Sequence, residues 1–168
     1  MFVLGIDPGL SRCGYACVEG TRAGPRCTAL GVLRTDPGEQ LPLRLAELQA
    51  ELRVLLREAR ADVVAIERVF FQVNVRTAMA VGQASGLAMV EAVSAGAEVV
   101  QYSPNEVKLA VAGDGSADKQ AVQVMVQRLL GLAKPPKPAD AADAAALALC
   151  HLAHAPMRRR VAVASGSR

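Results

Sequence analysis

The sequence is poor in aromatic residues, with no Trp, two Tyr and three Phe among its 168 residues. The core must therefore be built mainly from aliphatic side chains, and each ring is a candidate for a specific role. Charged residues are also few, at 21% against 52% hydrophobic residues, which excludes a disordered or acidic solvating chain. The length suffices for one domain that folds without a disulfide or a metal.

Metal-binding and targeting patterns are equally scarce. No Cys-x-x-Cys pair occurs among the four cysteines, and His151 and His154 are the only histidines. Together with Cys150 they would point in different directions from a helix, which disfavours zinc. We expect reduced, mostly buried thiols, as in a cytoplasmic protein. Neither a signal peptide nor a membrane segment is expected, because the N-terminus has no basic region and the Ala-rich stretch after Asp143 is short with polar ends.

Positive charge is concentrated late in the chain. Residues 101–168 hold nine of the 19 basic residues but only five of the 16 acidic ones. All four lysines fall within thirty residues: Lys108, Lys119, Lys134 and Lys137. This spacing fits chance in a chain that otherwise uses Arg, and it equally fits a surface that faces phosphates.

Hydrophobic periodicity predicts the element order βββ-α-β-α-β-ααα. We place strands near 2–6, 14–18, 27–33, 62–66 and 98–102, and helices near 42–60, 75–95, 104–112, 117–130 and 139–155. The first three strands, separated by turn residues, suggest an antiparallel meander. The sequence thus predicts an α/β fold, a ribonuclease-H-like mixed five-stranded sheet flanked by helices. We expect one domain over 1–156 and a basic, disordered tail over 157–168.

Two helix starts carry local signals. Ser103 and Glu106 have capping-box spacing, with Pro104 in the first turn. The segment 113–116 should end that helix and cap the next. In the first helix, leucines recur at intervals of four and three, which predicts one buried face: Leu41, Leu45, Leu48, Leu52 and Leu55.

Four acidic residues occupy positions at which ligands commonly bind. Asp7 and Glu67 each follow an apolar run that is predicted to be a central strand, and ligands of open α/β sheets bind beyond such strand ends. Asp140 and Asp143 are three residues apart at a helix start, so they share one helix face. Alone, each acid has an ordinary explanation as a turn residue or a helix-dipole partner. Together they indicate a site.

If these four carboxylates converge, their repulsion requires a cation. Carboxylates about 5 Å apart repel by roughly 3 kcal/mol per pair at an effective dielectric of about 20. Hard oxygen ligands select Mg²⁺ or Mn²⁺, and two such ions in a carboxylate site hydrolyse phosphodiesters. Phosphodiesters also explain Lys108 and Lys119, which lie on two helices joined by a Gly-rich loop.

The neighbouring rings of Phe70 and Phe71 lie three and four residues after Glu67. One exposed ring could stack on a base or wedge a DNA junction, and the alternative is that both pack under the loop. On the next helix, small residues form a stripe that permits either an intramolecular helix contact or a dimer seam: Ala78, Gly82, Ser85 and Met89.

Five motifs, in order and over nearly the whole chain, closely resemble the RuvC family of Holliday-junction resolvases (crossover junction endodeoxyribonucleases). They are Gly5-Ile6-Asp7-Pro8-Gly9; Glu67-x-Val69-Phe70 with Asn74 and Gly82-Gln83-Ala84-x-Gly86; Ser103-Pro104 with Val107-Lys108; Gly113-x-Gly115-x-Ala117-x-Lys119; and Asp140-Ala141-Ala142-Asp143-Ala144.

The resemblance implies a homodimeric, Mg²⁺-dependent endonuclease that nicks two strands of like polarity in a four-way DNA junction. The carboxylate chemistry adds the expectation of two Mg²⁺ per active site, with Mn²⁺ as a substitute. The resemblance further implies a branch-migration motor and its junction-binding subunit as partners, and it assigns roles by position. Asp7, Glu67, Asp140 and Asp143 match the metal ligands, Lys119 a catalytic and DNA-binding lysine, Lys108 a DNA-binding lysine, and Phe70 the junction-stacking ring.

The sequence departs from the family in places. Ala80 and Ser85 stand where members often carry basic residues, which leaves Arg76 as a substitute DNA contact. Ala145 replaces a larger apolar residue.

Three other functions compete with this interpretation. A ribonuclease H acting on hybrids should carry its third acid soon after Glu67. An actin-like nucleotide-binding module, suggested by Asp7-Pro8-Gly9, needs a second subdomain for which 168 residues leave no room. A protein that only binds junctions and does not cleave them would not need Asp140 and Asp143 in addition to the other two acids.

Overall fold

The computed structural model describes the backbone of residues 1–68 and 75–165, with side chains through 68 and from 78 to 155. Five strands and five helices follow one another in the predicted order: β1 (Phe2–Asp7), β2 (Arg12–Thr21), β3 (Gly24–Arg34), α1 (Leu41–Ala59), β4 (Val63–Glu67), α2 (Val75–Ser94), β5 (Glu98–Tyr102), α3 (Pro104–Ala112), α4 (Lys119–Leu129) and α5 (Ala139–Ser165). Among the described helices, none combines the length and the apolar character needed to cross a bilayer.

The strands form one mixed sheet in the order β3-β2-β1-β4-β5. β1 pairs with β2 antiparallel and with β4 parallel, β2 pairs with β3 antiparallel, and β4 pairs with β5 parallel. This is the predicted ribonuclease-H-like sheet, including its antiparallel first three strands, so the fold class is confirmed.

Alternation along the strands separates two cores, one on each face of the sheet. Val3, Val63 and Ala65 pack with α3, α4 and α5, whereas Leu4 and Val64 pack with α1 and α2. The same alternation places Asp7, which follows Val3 and Gly5, on the α5 side of the sheet. It places Glu67, which follows Val63 and Ala65, on that side as well.

Helix α5 lies unusually close to the sheet because glycines face it. A Cβ on Gly5 would lie only 1.9 Å from the carbonyl oxygen of Ala144, and one on Gly14 would lie 2.1 Å from that of Asp140. The buried face of α5 is correspondingly rich in alanine, and Ala145 is fully buried among these residues. Small residues on both surfaces thus fix the start of α5 against β1 and β2.

Several predicted boundaries and faces are corrected. Leu48 and Leu52 are buried as expected, but Leu41 is 42% exposed and the buried stripe ends at Leu56. The capping box of Ser103 and Glu106 is present. Helix α4, however, is capped by Asp118, whose Oδ1 accepts from the Ala121 N–H at 2.7 Å, rather than within 113–116.

The last helix extends further than predicted. Its backbone is helical to Ser165, about ten residues past the expected end at Ala155, since Ala, Met and Arg in this stretch favour a helix. The side chains from 156 onward lie outside the described residues. The division into a domain over 1–156 and a separate tail over 157–168 stays a prediction.

Candidate active site

Two acidic residues end adjacent central strands. The parallel register pairs Gly5 with Ala65 and Ile6 with Ile66, so Asp7 and Glu67 follow side by side at the edge where β1 and β4 end. Neighbouring strands are about 4.8 Å apart. Both side chains fall on the α5 face, and their carboxylates interact electrostatically.

The other two acids come from the first two turns of α5. Asp140 and Asp143 are three residues apart and lie on one face of the helix. Gly14, which pairs with Asp7 across the β1–β2 ladder, lets the backbone of Asp140 approach the sheet. The charges of Asp140 and Asp143 both act on Asp7. The structure thus brings together four acidic residues that are separated by as many as 136 positions in the sequence.

The carboxyl of Asp7 carries the strongest electrostatic signature of the cluster. Burial raises its pKa from 3.8 to about 7, helped by the negative charges of Asp143, Glu67 and Asp140 and partly opposed by Lys119. Burial and Asp143 also raise the pKa of Glu67. Raised pKa values of this kind are typical of neighbouring carboxylates that are partly buried and repel one another when ionised.

Both predicted lysines line a single cleft beside the acids. A cavity of about 240 Å³ is bordered by Glu67, Asp143, Lys108 and Lys119, with apolar walls from α3, α4 and α5. Lys119 Nζ donates to Asp143 Oδ2 at 2.6 Å, and this bond, with the nearby acids, raises the pKa of Lys119. The side chain therefore stays an ammonium at neutral pH.

The donor set fits hard divalent cations. All four converging groups are carboxylates, which suit Mg²⁺ or Mn²⁺ better than softer metals, and their mutual repulsion would be relieved by positive charge. Within the described residues no three acidic, His or Cys side chains are drawn together into a metal shell. Instead, Arg12 and Lys119 each hold one α5 carboxylate.

Other predicted residues lie elsewhere. Phe70 and Phe71 fall outside the described residues, as does the side chain of Arg76. Ser85 is buried, and its Oγ has no hydrogen-bond partner among the described atoms, so a basic side chain in its place would not reach the surface without rearrangement.

The cysteines and histidines take other partners. All four cysteines are free thiols. The ring of His151 bonds through Nδ1 to the hydroxyl of Tyr102 at 2.9 Å, while Cys150 Sγ lies near the Glu106 carbonyl and His154 Nδ1. Cys150 and His151 therefore point to different partners.

Sequence reasoning missed two residues of the site. Arg12 Nε and Nη2 both donate to Asp140 Oδ2, at 2.9 and 2.5 Å, and no local pattern links residues 128 positions apart. Gly14 offered a usable signal, because a glycine inside a strand often marks a close approach of another backbone.

Comparisons with known proteins agree with this arrangement. A relative from Salinispora arenicola, named crossover junction endodeoxyribonuclease RuvC, is 54% identical and aligns over 98% of this chain and 95% of its own. The solved Thermus thermophilus RuvC is 39% identical with a TM-score of 0.86, over 94% of this chain and 97% of that one. The same protein in complex with a Holliday junction substrate gives 38% identity and a TM-score of 0.88, over 94% and 96%.

The match to the family is continuous along the folded domain. The profile described as crossover junction endodeoxyribonuclease RuvC matches residues 3–151, a span that contains all five motifs, all four acidic residues and both cleft lysines. The chain therefore belongs to the RuvC family of crossover junction endodeoxyribonucleases.

Proposed function

We propose that the protein is a structure-specific endonuclease that resolves four-way DNA junctions by paired symmetric nicks, in homologous recombination and DNA repair. The observation that carries the proposal is the grouping of four carboxylates at one sheet edge, with the pKa of Asp7 raised to about 7, beside a cleft that holds two lysines. Family membership and the likeness to a junction-bound relative support the choice of substrate.

Asp7, Glu67, Asp140 and Asp143 would hold two divalent ions, Mg²⁺ or Mn²⁺. When bound, such ions supply a prepared water nucleophile and charge stabilisation for the leaving oxygen. The chain supplies the frame: β1 and β4 fix two ligands on rigid strands, and the glycine contacts of α5 fix the other two. Carboxylate ligands that are held on packed strands and helices need little rearrangement to bind metal ions.

Lys119 would act as a fixed positive charge next to the scissile phosphate. The bond to Asp143 raises the pKa of Lys119 and favours the ammonium form. From the start of α4, where its Nζ donates to Asp143 Oδ2, the ammonium could stabilise negative charge that develops on the phosphate. Lys108, on α3 at the same cleft, would contact a neighbouring phosphate and set the position of the strand.

Paired nicks on a two-fold symmetric junction require two sites, and we propose that α2 forms the seam of a homodimer. The exposed stripe of α2 is shifted around the helix by about one residue from the predicted stripe, because Ser85, which was predicted to lie in it, is buried. The stripe joins Met79, Val90 and Val93, which are 59%, 59% and 66% exposed. At Gly82 and Gly86 an added Cβ would meet nothing within 4 Å, so a second copy of this helix could approach closely.

Placing a charge in this stripe should dissociate the dimer. Val90→Glu buries an unpaired carboxylate from each copy in the seam, so we expect the dimer dissociation constant to rise by about 10²-fold. Light scattering after size-exclusion chromatography measures the change. The matched control is Leu109→Glu, which replaces an equally exposed residue (59%) on α3 and should leave the dimer intact. A wild-type monomer, or an undisturbed Val90→Glu dimer, contradicts the seam.

The function itself is tested by offering three substrates with Mg²⁺: a mobile four-way junction, a linear duplex and an RNA–DNA hybrid. We expect cleavage of the junction at least about 10²-fold faster than of the others, because only a junction presents two strands to paired sites. Hybrid cleavage without junction cleavage would favour a ribonuclease H activity instead. Equal cutting of junction and duplex would refute structure specificity.

Two further expectations accompany this function. We infer that the protein works in the cytoplasm, in keeping with its four free thiols, since thiols stay reduced there. A branch-migration motor and its junction-binding subunit stay the predicted partners. Phe70 and Arg76 stay predicted DNA contacts.

A further inference from the structure

Among the described residues, Arg12 makes a contact with the acid cluster that the proposed function does not use. It lies at the start of β2, and its Nε and Nη2 both donate to a single oxygen, Asp140 Oδ2. The Arg12 side chain is 44% exposed, against 26% for Asp140. The guanidinium therefore covers one oxygen of a proposed metal ligand while keeping an open route to solvent.

Arg12 belongs to a cluster of positive charge at one end of β2 and β3. The β2–β3 register places Arg34 directly opposite it, and like charges at paired positions repel. Arg44 Nη2 donates to the Ser11 hydroxyl at 2.6 Å, which places a third guanidinium at the same end. Of the described ion pairs at this end, Arg12 with Asp140 is the one that balances this charge.

The position of this group relative to the cleft suggests what it would bind. Arg12 and Arg34 are paired at one end of β2 and β3, which lie on one side of β1 in the strand order, whereas Lys108 and Lys119 line the cleft that includes Glu67 of β4, on the other side of β1. Asp7, at the end of β1, lies between the two groups in the strand order. A nucleic-acid strand that crosses the acids would therefore meet positive charge on both sides.

We propose that Arg12 is an internal counter-cation that competes with the divalent ion for Asp140 and, once displaced, binds a DNA phosphate beside the site. The inference rests on the proposed function of the four acids. Without a divalent ion, Arg12 neutralises Asp140. A divalent ion held by the acids would take its place at that carboxylate, and the guanidinium would then be available to the backbone of the junction. Arginine suits this exchange, since the planar guanidinium can donate two parallel hydrogen bonds to a carboxylate or to a phosphate.

The exchange couples metal binding to junction binding. Removing the guanidinium eliminates a competitor and a like charge, so Arg12→Gln should bind the divalent ion more tightly. The same variant loses a phosphate contact only in the metal-loaded state, so its junction binding should weaken with metal and change little without it. A role limited to fixing the orientation of Asp140 predicts the opposite sign for metal affinity.

The test measures both affinities separately. Calorimetry with Mn²⁺ alone, without DNA, should give a dissociation constant about three- to tenfold lower for Arg12→Gln than for wild type. Junction binding is then measured in EDTA and in Ca²⁺; we expect a loss of about three- to tenfold in Ca²⁺ and less than about twofold in EDTA. The matched control is Arg26→Gln, which removes the exposed Arg26–Glu19 pair at the far end of the same two strands and should change neither affinity.

The outcomes separate this inference from the proposed function. Unchanged or weaker Mn²⁺ binding by Arg12→Gln overturns the competition, and equal losses of junction binding in EDTA and Ca²⁺ overturn the transfer to phosphate. If wild type binds no Mn²⁺ at all, the proposed metal site itself fails, whatever the variant does.

Discussion

Asp7→Asn is expected to abolish cleavage of a four-way junction while leaving the junction bound. Asp7 is the acid on which the other three act, and an amide keeps its size but removes the charge that would hold a divalent ion. Loss of that stabilisation, several kcal/mol in the transition state, should slow cleavage by about 10³-fold or more. Single-turnover cleavage and a gel-shift assay measure the two effects separately.

The control for this prediction is an acid at the other end of the same strands. Asp62→Asn alters a carboxylate whose Oδ2 accepts from the Phe2 N–H at 2.7 Å, far from the cluster. We expect it to retain cleavage within about threefold, since remote surface changes act mainly through stability. An active Asp7→Asn variant would show that the chemistry lies elsewhere.

Asp7→Asn should also show how much the cluster of carboxylates lowers the free energy of unfolding of the metal-free protein. The pKa of Asp7 is about 7 in the folded protein against 3.8 as the ordinary value, so between these pH values the native state binds the extra proton. Stability without metal should therefore fall as pH rises from about 4 to about 7 and then level off. At pH 8, Asp7→Asn should be more stable than wild type by roughly 2–4 kcal/mol, with little difference near pH 4, as measured by urea unfolding.

The second large effect is expected at Gly14, a residue that touches no substrate. A Cβ there would lie 2.1 Å from the carbonyl oxygen of Asp140, and backbone on both sides leaves little room to adjust. Gly14→Ala should push the first turn of α5 off the sheet. We expect a loss of about 3 kcal/mol in the free energy of unfolding and, because misplacement of about 1 Å is costly to catalysis, a loss of about 10²-fold in cleavage.

The matched control is Gly20→Ala in the same strand. Its Cβ would meet the end of the flexible Leu152 side chain at 2.7 Å, which can move aside, so cleavage should stay within about threefold of wild type. If Gly14→Ala cuts and unfolds as wild type does, the close approach of α5 is not what positions Asp140.

Much of this fold could be predicted because its signals are local. Apolar runs marked β1 and β4, and the Ser103–Glu106 capping box fixed the start of α3. The position of the acids at strand ends and in a helix first turn then followed from general rules about α/β sheets.

The missed features depend on tertiary contacts or on competing local signals. The Arg12–Asp140 pair joins distant segments, and no periodicity encodes it. The cap of α4 moved to Asp118 because Asp114 instead accepts the Ser116 N–H in a turn of its own. Leu41 is the first residue of α1 and is 42% exposed, which the leucine repeat alone does not reveal.

The most direct test of the account uses one four-way junction with each of its four strands labelled in turn. With Mg²⁺, the wild-type protein should nick two strands of like polarity at symmetric positions and leave ends that a ligase can seal, while Asp7→Asn bound to the same junction should nick none. Nicks that are unpaired, equal cutting of a linear duplex, or cutting by Asp7→Asn would contradict the assignment of the four carboxylates as the resolving site.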